Sequence, residues 1–187
     1  MATRNQLNPP PLRKITDFKS KLSGGGARSN LFECELAFPP AVNVEGLNDI
    51  LNKARFLVKA ANLPASNVAP IEVPFRGHKL KVAGDRTFED WTVSIINDVN
   101  FTTRTAVEQW MESIQELDSG VGATDLDYLV SRATVSQLNR DDSILATYEL
   151  YNMYPSTLNQ IDLSFDTADE IQTFDVTFSY SHWERTL

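Results

Sequence analysis

The sequence predicts a mainly β domain, a sandwich or barrel of antiparallel strands with one flanking α-helix. Two segments carry most of this prediction because apolar and polar side chains alternate along them. These segments are WTVSIIN at residues 91–97 and FDVTFSY at residues 174–180. Alternation of this kind is typical of strands that bury one face against a core and expose the other to water.

Nine strands are predicted along the chain, separated by turn signals rich in Gly, Asp and Asn. They span residues 30–38, 55–61, 71–76, 78–82, 91–97, 133–140, 145–151, 157–165 and 171–183. Gly84-Asp85-Arg86 is interpreted as a hairpin-type turn, because Gly reaches backbone angles that other residues avoid and Asp can accept nearby backbone N–H groups.

The single predicted helix begins near Thr103, which is interpreted as its N-cap, and Gly120 follows its end. One apolar stripe recurs at helical spacing, namely Val107, Trp110, Met111, Ile114 and Leu117. We expect this stripe to cover a sheet or one end of the sandwich.

Residues 1–28 are predicted to form a partly flexible arm, and residues 29–187 a single β domain. Three prolines at 9–11 stiffen one part of the arm, and three glycines at 24–26 loosen the other. Between them, Leu12, Ile15, Phe18 and Leu22 recur at helical spacing, which favours a short amphipathic helix that docks on assembly. A disordered tail with an accidental stripe is the alternative.

Charge is distributed unevenly along the chain, whose formal net charge is −8. Residues 1–94 carry 13 Lys and Arg against 9 Asp and Glu, whereas residues 95–187 carry 4 against 16. An acidic body argues against ordinary DNA binding, which uses a basic face to neutralise phosphates. The basic arm has nucleic acid, a membrane surface or an acidic neighbouring copy as possible partners.

Motifs that carry catalytic chemistry are missing, so no catalytic residue, cofactor or metal site is predicted. His78 and His182 lack metal-ligand spacing, and neither a nucleophile elbow nor a phosphate-binding loop occurs. Asp125-Leu126-Asp127 lacks the order of an EF-hand. The lone Cys34 predicts a packed thiol and synthesis in a reducing cytoplasm, and no membrane span or secretory signal is expected.

Four segments in the same order resemble one family. They are NLFECEL at 30–36, VAGDRTFEDWTVSIINDVN at 82–100, YPST at 154–157 and EIQTFDVTFSYSHWE at 170–184. Together they resemble the major tail tube proteins of contractile-tailed bacteriophages, and the resemblance covers residues 29–184.

The resemblance implies a structural virion protein rather than an enzyme. It implies hexameric rings stacked helically into an inner tail tube, with sheets joined between subunits into an inner β-barrel through which the genome passes without specific binding. Expected partners are further copies of the chain, the tail sheath protein, the baseplate or tube initiator, the tape-measure protein and the tail terminator. The virion tail, after assembly in the host cytoplasm, is the expected location.

Other functions remain open at this stage. A baseplate-end tube initiator, or the tube subunit of a phage-derived contractile injection or secretion system, would share the fold. A monomeric β-sandwich binding module is a different class, and an enzyme comes third because the sequence offers no paired nucleophile and base.

Two sets of residues are candidates for function in a tube. Acids that line the bore would keep DNA from sticking, and the strand-borne candidates are Glu72, Asp162 and Asp175. Contacts between subunits would join the basic arm of one copy to an acid-rich surface of its neighbour. The candidates are Arg13, Lys14, Lys19, Lys21 and Arg28 on the arm, and Asp118, Asp125, Asp127, Asp141 and Asp142 on the neighbour.

Overall fold

The computed structural model describes residues 14–42, 47–166 and 169–187. Its helices are α1 (Ile15–Lys21), α2 (Leu47–Leu57) and α3 (Thr102–Ile114). Its strands are β1 (Phe32–Glu35), β2 (Val58–Ala61), β3 (Ser66–Phe75), β4 (His78–Phe88), β5 (Trp91–Ile96), β6 (Val130–Leu138), β7 (Ile144–Leu158), β8 (Thr173–Ser179) and β9 (His182–Arg185).

Seven of these strands form one antiparallel sheet in the order β1-β6-β7-β8-β5-β2, with β9 beside β7. The sheet folds over at β7 into two layers. The first layer holds β1, β6, the first part of β7 and β9, and the second holds the end of β7 with β8, β5 and β2. This arrangement confirms the predicted β-sandwich.

The fold at β7 depends on a bend at Asn152, whose φ of 54° lies in the left-handed region. Residues up to Tyr151 pair with β9, and residues from Tyr154 onward pair with β8. A local irregularity of this kind lets one strand pass from one layer to the other. Asn accepts left-handed geometry more readily than most residues.

Aromatic side chains fill the space between the layers. The Phe178 ring lies 5.8 Å from Trp91 and 5.9 Å from Trp110 of α3, and Phe38 meets Trp110 edge-on at 5.6 Å. Both buried indole N–H groups are satisfied, since Trp91 donates to the Asn62 carbonyl and Trp110 to the Tyr128 carbonyl. The body of the protein therefore has a closed core of its own.

The predicted turn at Gly84-Asp85-Arg86 is wrong, because β4 runs through these residues to Phe88. Between the pairs Val68↔Arg86 and Pro70↔Ala83, β4 has two residues and β3 has one, which is a β-bulge. A Cβ at Gly84 would stand 2.6 Å from the Ala69 carbonyl oxygen. The glycine marks a close approach of two backbones.

Helix predictions need two corrections. The predicted strand at 55–61 begins inside α2, a helix that the sequence did not predict. Thr103 is not the cap of α3, because it is buried within the helix. The Asp98 carboxylate instead accepts the Thr102 N–H at 2.9 Å and the Thr102 hydroxyl at 2.7 Å.

The predicted strand at 157–165 is also wrong. β7 continues through Pro155 to Leu158, and residues 159–165 form no strand.

Substitution at Asn152 tests the bend. Asn152→Val should lower the free energy of unfolding by about 1–2 kcal/mol, because a β-branched side chain crowds the carbonyl in left-handed geometry. Asn152→Gly is the matched control and should leave stability within a few tenths of that of the unsubstituted protein. Urea denaturation followed by circular dichroism measures both, and equal losses would show that the bend does not depend on this conformation.

Candidate assembly surfaces

The hairpin formed by β3 and β4 projects from the sandwich. Arg76 and Gly77 make its two-residue turn, and both have positive φ angles, 46° and 83°. This combination fits a type I′ turn, which matches the twist of paired strands. Every residue from Ser66 to Ala83 is exposed, so neither face of the hairpin is covered by the rest of the described chain.

The two faces of the hairpin differ in chemistry. One face, called here the apolar face, carries five large side chains that are 46% to 67% exposed: Ile71, Val73, Phe75, Leu80 and Val82. Cross-strand pairs Ile71↔Val82 and Val73↔Leu80 place them together. On the opposite face the Lys79 ammonium lies 2.6 Å from the Glu72 carboxylate. A continuous apolar strip of this kind on a monomer marks an interaction surface.

The root of the hairpin is fixed to the body. The Ala65 carbonyl accepts the Trp183 indole N–H at 3.2 Å, and Phe88 packs 6.1 Å from the Tyr180 ring. Burial raises the pKa of Tyr180, with the nearby charges of Asp90 and Glu89 adding to the effect. The hairpin is thus fixed to the body at its base, while its residues from Ser66 to Ala83 are exposed.

The outward side of the second layer is called here the hydroxyl face. Its members on β5 and β8 are Thr92, Ser94, Ile96, Thr173, Thr177 and Ser179, with Asp175 among them. The Thr92 and Thr177 hydroxyls lie 3.1 Å apart, and Ser94 is directly opposite Asp175. Neither β5 nor β8 contains Lys or Arg, so a carboxylate is the charge these two strands bring to the face.

The first layer presents an ionised outward side instead. Arg55 of α2 pairs with Glu33 and lies 3.3 Å from the Glu35 carboxylate. Tyr151 donates to Glu149 at 2.8 Å, which raises the Tyr151 pKa, and its ring stacks on His182 at 4.8 Å. Positive and negative groups alternate here, in contrast to the hydroxyl face.

The three acids predicted for the bore lie in different settings. Asp175 is half-buried on the hydroxyl face, and Glu72 is on the hairpin beside Lys79 and Lys81. Asp162 is not strand-borne as predicted, because it lies in the loop after β7, where it accepts the Gln160 amide at 3.1 Å.

The described part of the arm begins at Lys14, so Arg13 lies outside it. Helix α1 confirms the predicted helix from Ile15 onward, whereas Leu12 of the predicted stripe lies outside the described residues. Ile15, Phe18 and Leu22 are exposed. Lys19 and Lys21 belong to α1. The Gln137 side chain donates to the Arg28 carbonyl at 2.7 Å, which ties the root of the arm to the end of β6.

The five predicted acids of the neighbour's surface separate into two groups. Asp141 and Asp142 lie in the turn after β6, at the same end as the arm root, and Ser143 holds the pKa of Asp141 below its usual value. The other group precedes β6 and is called here the distal acids: Asp118, Asp125 and Asp127. The length of β6, roughly 26 Å at 3.3 Å per residue, separates the two groups.

Reactive chemistry does not emerge from the described residues. None of their His, Cys, Asp and Glu side chains gather in threes that could hold a metal ion. Burial, with the charge of Glu33 as a smaller cause, raises the pKa of the Cys34 thiol to about 12, so the thiol stays protonated. Among the described helices, none combines the length and apolarity needed to cross a membrane.

The loop after β7 is a surface that the sequence did not predict. Leu163, Phe165 and Ile171 are largely exposed there, around a concavity lined by residues 160–165 and 170–173. The run of apolar residues that suggested a strand faces solvent in this loop.

Comparison with known proteins identifies the family. A family model described as phage tail tube protein matches residues 27–186. The chain is 34% identical over 164 residues to tail tube protein gp19 of Enterobacteria phage T4, covering 87% of this chain and 93% of that protein. Baseplate tail-tube junction protein gp54 of the same phage is 21% identical over 138 residues, covering 73% of this chain but 42% of that protein.

Solved structures share the fold. A chain in the cryo-EM structure of the anti-feeding prophage baseplate has a TM-score of 0.61 at 10% identity, over 86% of this chain and 95% of that one. The match of the family model over most of the sequence, with a relative above 30% identity, places this chain in the phage tail tube protein family.

Proposed function

We propose that this chain is the subunit of the inner tail tube of a contractile-tailed phage, polymerising as stacked hexameric rings that conduct the genome. The observation that carries the proposal is the hairpin, whose apolar face has no cover within the described subunit. Identical copies arranged head to tail cover such a face once per subunit and close a ring when the rotation allows. The family match supports a tube as the product of this assembly.

The proposed tube works by assembly, without catalysis. Its ends would meet the baseplate or tube initiator and the tail terminator, its outside the sheath protein, and its bore the tape-measure protein and then DNA. Assembly would take place in the host cytoplasm and the product would lie in the virion tail. Within the chain, residues 1–28 act as an arm and residues 29–187 as the tube domain.

The main alternative is a tube initiator at the baseplate. The chain is 34% identical to the tube protein of phage T4 but 21% identical to the junction protein of that phage. This difference in identity favours the main tube.

Substitutions on adjacent hairpin residues test the role of the apolar face. Leu80→Gln should raise the critical concentration for tube growth about 10- to 100-fold, because burying a leucine contributes about 1.5–3 kcal/mol. Lys81→Gln places the same side chain on the opposite face and should leave growth within a few-fold of normal. Negative-stain electron microscopy with pelleting assays measures both, and equal growth of the two variants would contradict the proposal.

The hydroxyl face lines the bore in the proposed tube. Hydroxyl groups are uncharged and hydrated, so they neither attract nor repel phosphates strongly. The carboxylate of Asp175, the one charge that β5 and β8 bring to this face, repels phosphates. Strands that bring no cation to the lining avoid the counterion release that drives proteins to bind DNA. Glu72 is a weaker candidate because Lys79 and Lys81 neutralise it, and Asp162 stays a candidate from the loop.

A charge reversal at Asp175 tests this assignment. Particles whose tube carries Asp175→Lys should eject DNA more slowly, and increasingly so as salt is lowered, because six added cations per ring meet the phosphates. Glu112→Lys, on the exposed side of α3, is the control with the same change in charge and should eject normally. Matching rates and salt dependence in the two variants would place Asp175 away from the bore.

The basic arm docks on the acids of a neighbouring copy in this proposal. Asp141 and Asp142 already lie beside the arm root of their own subunit, so the distal acids are the better target in a copy stacked head to tail. Opposed potentials of this kind steer association and fix polarity more than they add affinity.

Paired charge reversals distinguish the two groups of acids. Reversing Lys19 and Lys21 to Glu should slow tube growth, most strongly at low salt where screening is weak. Adding Asp125→Lys and Asp127→Lys should restore growth, whereas adding Asp141→Lys and Asp142→Lys should not. Light scattering during seeded growth measures the rates. Rescue by the Asp141 and Asp142 pair alone, or no slowing at all, would overturn this part of the proposal.

A further inference from the structure

Two prolines occupy the hairpin at positions with a shared orientation. Pro70 and Pro74 both belong to β3, where they pair with Ala83 and Lys79 of β4. A proline has no N–H, so in a sheet it is confined to positions whose N–H would point away from the partner strand. The prolines therefore report which backbone groups of the hairpin point outward.

The register extends this argument to β4. In a hairpin with a two-residue turn, the pair next to the turn exchanges both hydrogen bonds, and pairs then alternate between bonded and non-bonded. Phe75↔His78 is that first pair, so the non-bonded pairs are Pro74↔Lys79, Glu72↔Lys81 and Pro70↔Ala83. Both prolines fall in non-bonded pairs, as their chemistry requires.

The two outer edges of the hairpin consequently differ. Of the three outward positions on β3 between the bulge and the turn, Glu72 alone keeps an N–H group, because the other two are prolines. On β4, all three outward positions, Lys79, Lys81 and Ala83, keep theirs. No third strand pairs with either edge in the described part of the chain. An edge that has lost two of these three donors extends a sheet poorly, whereas an edge that keeps all three invites another strand.

We propose that the hairpin joins a second copy of this chain by strand addition through the outer edge of β4, and that Pro70 and Pro74 close the edge of β3 against pairing. The proposal rests on the proposed tube function, which supplies the second copy as the occupant. It adds a direction to assembly: one edge of each hairpin is open and the other is closed, so growth through the hairpin is one-sided. The same prolines keep free subunits from joining side by side through β3.

Proline substitutions at opposite residues test the open edge. Glu72 and Lys81 face each other in one non-bonded pair and lie 4.0 Å apart as an ion pair, which either alanine variant removes. Glu72→Ala removes the Lys79 ion pair as well. Each proline variant is then compared with the alanine variant at its own position. Lys81→Pro should raise the critical concentration for tube growth about tenfold or more above Lys81→Ala, because a donor is lost and the ring blocks the approach of a strand.

Glu72→Pro should grow like Glu72→Ala, since β3 is already closed. Thermal unfolding and gel filtration of all four variants check that the subunits fold. Equal growth of Lys81→Pro and Lys81→Ala would overturn strand addition through β4, as would equal losses from proline at both positions. Failure of the unsubstituted protein to form tubes with baseplate seeds would instead overturn the proposed function, so the two failures are distinguishable.

Restoring the missing donors tests the closed edge. The double variant Pro70→Ala with Pro74→Ala should form side-by-side aggregates at concentrations where the unsubstituted protein stays dispersed. Dispersed subunits and tubes of unchanged appearance would show that the prolines do not guard this edge.

Discussion

The structure depends on one constraint: the two layers of the sandwich close on each other, and no described residue outside the hairpin covers its faces. Trp91, Phe178 and Trp110 fill the core from two strands and a helix, so the body does not need the hairpin for its own burial. Because the hydrophobic effect favours covering apolar surface, the bare strip on β3 and β4 must find its cover elsewhere. A subunit that combines a closed core with an uncovered apolar hairpin is suited to polymerisation.

The contacts at the base of the hairpin fix the direction in which the hairpin projects from the body. The Ala65 carbonyl accepts from Trp183 of β9, and the Phe88 ring packs on Tyr180, which directly follows β8, the strand that carries Asp175. A neighbouring subunit that covers the apolar face of the hairpin is therefore held in a fixed position relative to the hydroxyl face. The pattern of prolines then limits which edge of the hairpin that neighbour can use. The apolar face, the fixed base of the hairpin and the prolines of β3 together specify one contact that every subunit can repeat.

Much of the sandwich could be predicted from the sequence because alternation is a direct consequence of strand geometry. β5 was predicted within one residue, since Trp91 faces a core built by its own domain. The predicted strand at 171–183 contains β8 but continues past its end into β9. Helix α2 was missed although Leu47, Ile50, Leu51 and Ala54 follow helical spacing, because the β-rich surroundings favoured a strand.

Other features could not be predicted from local patterns. Gly84 signals a turn and a bulge equally, and the pairing with Ala69 that decides between them is a contact between strands. The passage of β7 between layers at Asn152 depends in the same way on partners distant in sequence. The distal acids and the pair Asp141 and Asp142 lie at opposite ends of β6, a separation that no local pattern of charge predicts. Residues predicted to act together by charge alone were thus divided by topology.

Amide hydrogen exchange, compared between free subunits and assembled tubes, tests the central claim most directly. Free subunits should exchange the outward β4 amides of Lys79, Lys81 and Ala83 rapidly, while amides of β5 such as Val93 stay protected. In tubes, the three β4 amides should become protected and the Glu72 amide on β3 should change much less. If the β4 amides are already protected in free subunits, or stay unprotected in assembled tubes, the hairpin does not pair with a neighbouring subunit and the account is contradicted.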